Sequence, residues 1–154
     1  MRLPRLIMAL LASLTVAGPG AAQVPPNVLF PGSAYSNLAR GTNIWCAIEP
    51  GSSAFQRNVS GEAKITMPEI SYVNYSNSPA VSYQLVGLAV LSFTTATSGT
   101  VAFVLATGAA PTSISRPQFT NYTQTYDTSA RIVRVTFLIR FPSCSLPVRL
   151  YLRN

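Results

Sequence analysis

The chain contains no histidine. That removes the commonest general base, the usual member of a nucleophilic triad and the commonest neutral metal ligand together. Its acids are Glu49, Glu62, Glu69 and Asp127. A carboxylate pair for glycoside hydrolysis could be drawn from these four, so a secreted hydrolase lacking His is the alternative to a non-catalytic protein. Glu62, however, falls on an alternating polar face and Asp127 in a turn, both ordinary surface places for an acid. Lys64 is the sole lysine, and no motif sets a serine beside it for a Ser–Lys nucleophile. Two cysteines fall short of a zinc or iron site, no acidic loop marks a calcium site, and no glycine-rich phosphate loop joins a strand to a helix. No catalytic residue, metal ligand or cofactor is therefore assigned, and the expectation is a protein that binds rather than reacts.

Three groups of residues remain that could serve binding or stability. Cys46 and Cys144 are an isolated pair, which in an exported chain points to one disulfide joining the first strand region to the last. Arg134, Arg140, Arg149 and Arg153, with Tyr151, form an outward row on the last two strands. Like charges set opposite one another cost stability, so the row points to an anionic partner, against the plainer role of guarding an edge hairpin from aggregation. Tyr72, Tyr75, Tyr83, Tyr122 and Tyr126 lie among Asn and Gln and form a candidate aromatic face for stacking on sugars or a protein surface. Strands also favour Tyr for packing alone.

Those residues need an exported β scaffold to hold them. Arg2 and Arg5, the apolar run Leu6 to Val16 and the small residues Gly20-Ala21-Ala22 make residues 1–22 a secretory signal in expectation, which places the mature chain in the periplasm, at the cell surface or outside the cell. Of 154 residues, removing 22 leaves 132, enough for one domain with a real core and too few for two. Charged residues are only 10% of the chain, and removing Arg2 and Arg5 takes the net charge from +7 to +5. Most of that charge is Arg, whose planar fork suits carboxylate, phosphate or sulfate. The partner expected is a protein or a glycan, anionic in chemistry, or another copy of the chain. No nucleic acid is expected, and no membrane span in the mature chain.

Hydrophobic periodicity supplies the elements. Residues 23–41 are rich in Pro and Gly and read as an irregular arm, whose Val28, Leu29 and Phe30 could join a neighbour's sheet edge. Asn43 to Glu49 is a first short strand, and Glu62 to Met67 alternates polar and apolar residues before Pro68 stops it. Ser71 to Tyr75 follows, then Val81 to Thr95, apolar enough for a strand buried on both faces and a hairpin partner for Thr100 to Thr107. Gly108 to Pro117 is a loop, and Gln118 to Tyr126 a polar strand with Tyr122 and Tyr126 on one side. Val133 to Phe141 and Leu146 to Leu152 alternate most clearly of all. Short antiparallel strands at this spacing predict a single all-β domain over residues 42–154, a β-sandwich of jelly-roll or Ig-like form. The composition is similar to that of bacterial surface-appendage subunits, but the wide separation of the cysteines and the absence of a penultimate Tyr depart from the pilin pattern.

Overall fold

The computed structural model describes residues 23–35, 39–41, 43–48, 51–58, 61–105 and 110–154; the expected signal segment lies outside them. Ten strands form: β1 (Phe30–Tyr35), β2 (Ala39–Gly41), β3 (Ile44–Ile48), β4 (Gly51–Arg57), β5 (Glu62–Asn74), β6 (Val81–Phe93), β7 (Gly99–Leu105), β8 (Gln118–Asp127), β9 (Ile132–Phe141) and β10 (Cys144–Arg153). One helical turn, α1 (Thr112–Ser115), lies between β7 and β8.

All pairings are antiparallel, and the order β5-β4-β1-β10-β9-β8-β7-β6 returns to β5 through the β5–β6 hairpin. The sheet closes into an eight-stranded barrel. β3 continues the line of β4 along the same edge of β5, and β2 flanks β3. β1 with β4 and β2 with β3 share one register, so these four strands are two interrupted halves of one long hairpin. Asn43, at φ 56°, turns that hairpin in the left-handed region that Asn tolerates well. The all-β class is as expected, and the sandwich is not. Alternation puts every second residue inside whether two sheets face each other or one sheet curls on itself, so periodicity alone does not separate these outcomes.

What closes the sheet is the segment expected to be an irregular arm. β1 is paired with β10 on one edge and β4 on the other, which makes it an interior wall strand with no free edge for joining a neighbour. Its Pro31 precedes the first β1–β10 pair, Gly32 with Leu152, so the missing N–H breaks no bond of that ladder. Gly32 is there because β10 passes too close for a side chain: a Cβ would strike the carbonyl of Tyr151. Val24 and Phe30 are buried, Val28 is half-buried and Leu29 is exposed, so the segment packs on its own domain.

Bulges supply the curvature. At Pro68 and Glu69 the β5–β6 register shifts, and beside it the β6–β7 register shifts at Gly87 and Leu88, with Gly87 at φ 82°. Pro68 therefore bends a long strand instead of ending it, and Ser71 to Asn74 belongs to that same strand. β6 is not buried on both faces: Leu85, Ala89 and Leu91 point inward while Leu88 is exposed. The interior holds Phe30, Phe55, Ile65, Leu91, Phe119 and Leu152 among others, each contributing roughly 1.5–3 kcal/mol by its burial.

One end is closed covalently. Cys46 on β3 is bonded to Cys144 at the start of β10, with a Cα–Cα distance of 6.6 Å. Beside it the Tyr72 hydroxyl donates to the Pro142 carbonyl at 3.0 Å, so the β9–β10 turn is held on β3 and β5 by two bonds.

Two outcomes follow for stability. The disulfide closes a span of 98 residues, so reduction should cost about 4–5 kcal/mol and lower the melting temperature; alkylation of native, unreduced protein should label no thiol, and two labelled thiols would contradict the bond. Gly32→Ala should lower stability in urea by about 1–3 kcal/mol, with Ser33→Ala as a nearly neutral neighbour; equal stability of Gly32→Ala and the native chain would contradict the close β1–β10 approach.

Candidate functional site

The outward row is real but shorter than its sequence suggests. Arg134, Arg140, Arg149, Arg153 and Tyr151 are all exposed, on the face opposite the buried Val133, Val135, Val148, Leu150 and Leu152. Their cross-strand partners are not each other: Arg134 faces Tyr151, Arg149 faces Thr136, Arg153 faces Ile132 and Arg140 faces Ser145. The Arg134 guanidinium lies over the Tyr151 ring, 5.2 Å from its centroid, a cation–π arrangement. Arg149 and Arg153 are the diagonal neighbours of Arg134, roughly 7–8 Å away across the ladder. Arg140 lies six residues further along β9, about 20 Å from Arg134 at strand spacing, and is not part of the cluster. Hydroxyls border the cluster, with Thr125 and Ser33 in line with Arg134 and Tyr151 and a Thr123–Thr136 hydrogen bond of 2.5 Å beside them. Asp127 at the end of β8 is occupied by its own turn, accepting from the Ser129 and Ala130 N–H groups at 3.0 Å.

Closure of the barrel also removes the plainer explanation of these arginines. β9 is paired with β8 and β10, and β10 with β9 and β1, so this hairpin has no exposed edge to guard.

The five tyrosines do not form a face. Tyr72, Tyr122 and Tyr126 point into the barrel and are buried, Tyr83 is packed against the core, and Tyr75 is exposed and stacks on Trp45 at 6.2 Å. Tyr72 joins Tyr83 and Phe141 near the disulfide, whereas Tyr122 joins Phe93, Phe119 and Phe137 in a separate cluster. Alternation correctly placed Tyr122 and Tyr126 on one side of β8; that side is the inside.

Around Tyr122 lies a pocket of about 320 Å³ that the sequence did not reveal, lined also by Arg57, Gly61, Phe93, Gln124 and the 94–98 turn residues Thr95 and Ala96. Arg57 is in step with the buried Phe55 along β4, so it points inward where that strand ends. Gln124 stands between Tyr122 and Tyr126 on the inward side of β8, beyond the bulge at Asn121, which has φ 55°. The Tyr122 N–H donates to the Thr97 carbonyl at 3.0 Å and fixes the turn over the pocket. The Tyr122 hydroxyl donates to Gln124 Oε1 at 2.7 Å. Arg57 could have been found by extending the inward alternation of Ser53 and Phe55 one step further. Gln124 lies on the same side of β8 as Tyr122 and Tyr126 by simple alternation, and its polar side chain gave no reason to read that side as the inside.

None of the lining residues named for this pocket is acidic. Glu62 and Glu69 are seven residues apart on β5, about 20 Å at strand spacing, and Glu62 is engaged by Asn58 Nδ2 at 3.3 Å and Ser92 Oγ at 3.5 Å. Among the described residues no group of three or more His, Cys, Asp or Glu could hold a metal, and no helix is long and apolar enough to cross a membrane. Comparison with protein-family models, curated proteins and solved structures gave no match, so the site stands on its geometry.

Burial pushes the Tyr122 phenol well above its ordinary value of 10.0, and the Arg57 guanidinium offsets only part of that rise. Tyr72 is raised as well, first by burial and then by the neighbouring Tyr83. The folded protein therefore holds these protons more tightly than the unfolded chain does. Their stabilising contribution is complete below the unfolded value of 10.0 and declines as pH rises past it, for Tyr122 by up to about 1.4 kcal/mol per pH unit. The denaturation midpoint should fall above that pH, and Tyr122→Phe should flatten the fall; an identical alkaline slope in the variant would contradict the assignment.

Proposed function

We propose that this chain is an exported, non-enzymatic binding barrel whose outer β9–β10 face recognises an acidic glycan. The observation that carries the reading is the arrangement of Arg134 over Tyr151 with Arg149 and Arg153 on either diagonal, on strands that have no edge to protect. Guanidinium groups pair with carboxylate or sulfate through paired, charge-assisted hydrogen bonds, which Lys would do less well. Tyr151 adds exposed aromatic surface for contact with a sugar's C–H groups, and Thr125, Thr136 and Ser33 add hydroxyls for its polar groups. The disulfide supports export, because such bonds persist in oxidising compartments.

A protein partner would be met by the same charges, but the hydroxyl border and the single aromatic residue favour a sugar polymer over the aromatic-rich core of a protein interface. The hydrolase alternative draws nothing from the pocket, where Arg57, Tyr122 and Gln124 supply no acid pair.

Binding of alginate, a carboxylated polysaccharide, should weaken with salt, since exposed charges are screened over about 8–10 Å at physiological ionic strength. Replacing Arg134 and Arg149 by Gln should weaken it at least about tenfold, while Arg140→Gln, outside the cluster, should leave it unchanged. Undiminished alginate binding by the folded double variant would reject this face as the site.

A further inference from the structure

We propose that the mouth of the barrel is a second site, separate from the outer face, that binds a small carboxylate carrying a compact aromatic or branched apolar body. Three features of the Tyr122 pocket lead to this ligand class.

The first is charge. Arg57 is half-buried at the inner end of β4 and is the one ionised group among the lining residues, since Tyr122 keeps its proton and the others are neutral. Its backbone carbonyl is used, accepting from the Asn27 N–H at 2.7 Å, and this holds the end of β4 in place. Among the described residues its guanidinium has no ion-pair partner. A guanidinium partly withdrawn from water and left unpaired is costly, and a carboxylate meets its planar fork with two parallel hydrogen bonds.

The second is the direction of the neutral polar groups. Tyr122 spends its one hydroxyl proton on Gln124 Oε1, which leaves Gln124 with both Nε2 hydrogens to give. With the amide oxygen turned to the tyrosine, the donor end is the one left to meet a ligand. Thr95 is taken up by its turn, its hydroxyl sharing a hydrogen bond of 2.6 Å with the Ser98 hydroxyl and accepting from the Thr97 N–H at 3.3 Å. The hydrogens left open are five on Arg57 and two on Gln124, and an anion with several lone pairs satisfies them better than a cation or a neutral donor would.

The third is the wall. Phe93 meets Tyr122 edge to face at 4.8 Å and Phe119 at 5.0 Å, so the polar groups stand against a rigid aromatic surface. The volume of about 320 Å³ is near the lower end for small-molecule sites and holds roughly ten waters at their liquid share, which suits a single ring or a branched chain and not a polymer. The carboxylate would sit on Arg57 and Gln124 and the apolar body against Phe93.

The experiment is a titration of the mature, disulfide-bonded protein with phenylacetate and, in parallel, with the neutral phenylacetamide, followed by two-dimensional amide NMR. Phenylacetate should shift the signals of Gly61, Ala96 and Gln124 and bind at least about tenfold more tightly than the amide. Arg57→Gln should abolish the preference for the acid while leaving the dispersed signals of β9 and β10 in place, and Gln124→Ala should weaken phenylacetate several-fold. Alginate binding by Arg57→Gln should equal that of the native chain, so failure at the mouth and failure of the outer-face reading give different results. Equal binding of acid and amide, native-like phenylacetate binding by Arg57→Gln, or no shift at the mouth at millimolar phenylacetate would each overturn the proposal.

Discussion

The structure depends on one backbone constraint: the strand Phe30–Tyr35 must be hydrogen-bonded along both of its edges. A sheet of eight strands with an empty slot there would leave the edges of β4 and β10 bare, a row of unpaired N–H and C=O groups that is costly to bury and prone to aggregate in water. β1 fills the slot, pairing with Phe55 to Gly51 on one side and Leu152 to Arg149 on the other. It fits because residue 32 has no side chain to meet the Tyr151 carbonyl. Closure then determines much of the rest. It turns β10 into an interior strand, so that Tyr151 and the arginines beside it are presented on a wall and not on a rim.

The two ends of the barrel answer the same problem differently. Near Cys46 the end is filled by Tyr72, Tyr83, Phe103 and Phe141 and tied shut by the disulfide and the Tyr72–Pro142 hydrogen bond. Near Arg57 the aromatic residues Phe93, Phe119, Tyr122 and Phe137 stop short of the opening, and polar groups line what remains. A covalently fixed end and an open one would suit the carboxylate site proposed at the mouth, since a preformed site loses little entropy on binding.

Much of this was legible from alternation. The last two strands, the β6–β7 hairpin, the placement of Tyr122 and Tyr126 on one side of β8 and the Cys46–Cys144 bond all follow from period-2 patterning and cysteine arithmetic. Three features were not, each for a physical reason. Pro31 and Gly32 read as breakers because their roles depend on a neighbour, β10, that is more than a hundred residues away in sequence. Pro68 read as a strand end because a bulge uses the same residue to bend a strand. The supposed tyrosine face dissolved because residue type says nothing about which side of a sheet is wet. Among the residues proposed to bind, the outer arginines carried a clear signal, whereas Arg57 and Gln124 come together only through closure.

The most direct test of the closed barrel is amide hydrogen exchange at Gly32, Ser33 and Ala34 in the disulfide-bonded protein. If β1 is locked between β4 and β10, these amides should include some of the slowest in the chain and exchange only with global unfolding, with the same denaturant dependence as Val135 and Ile139 in β9. Exchange as fast as that of the exposed turn at Ser76 and Asn77 would mean that β1 is not a wall strand, and the closed barrel would be wrong.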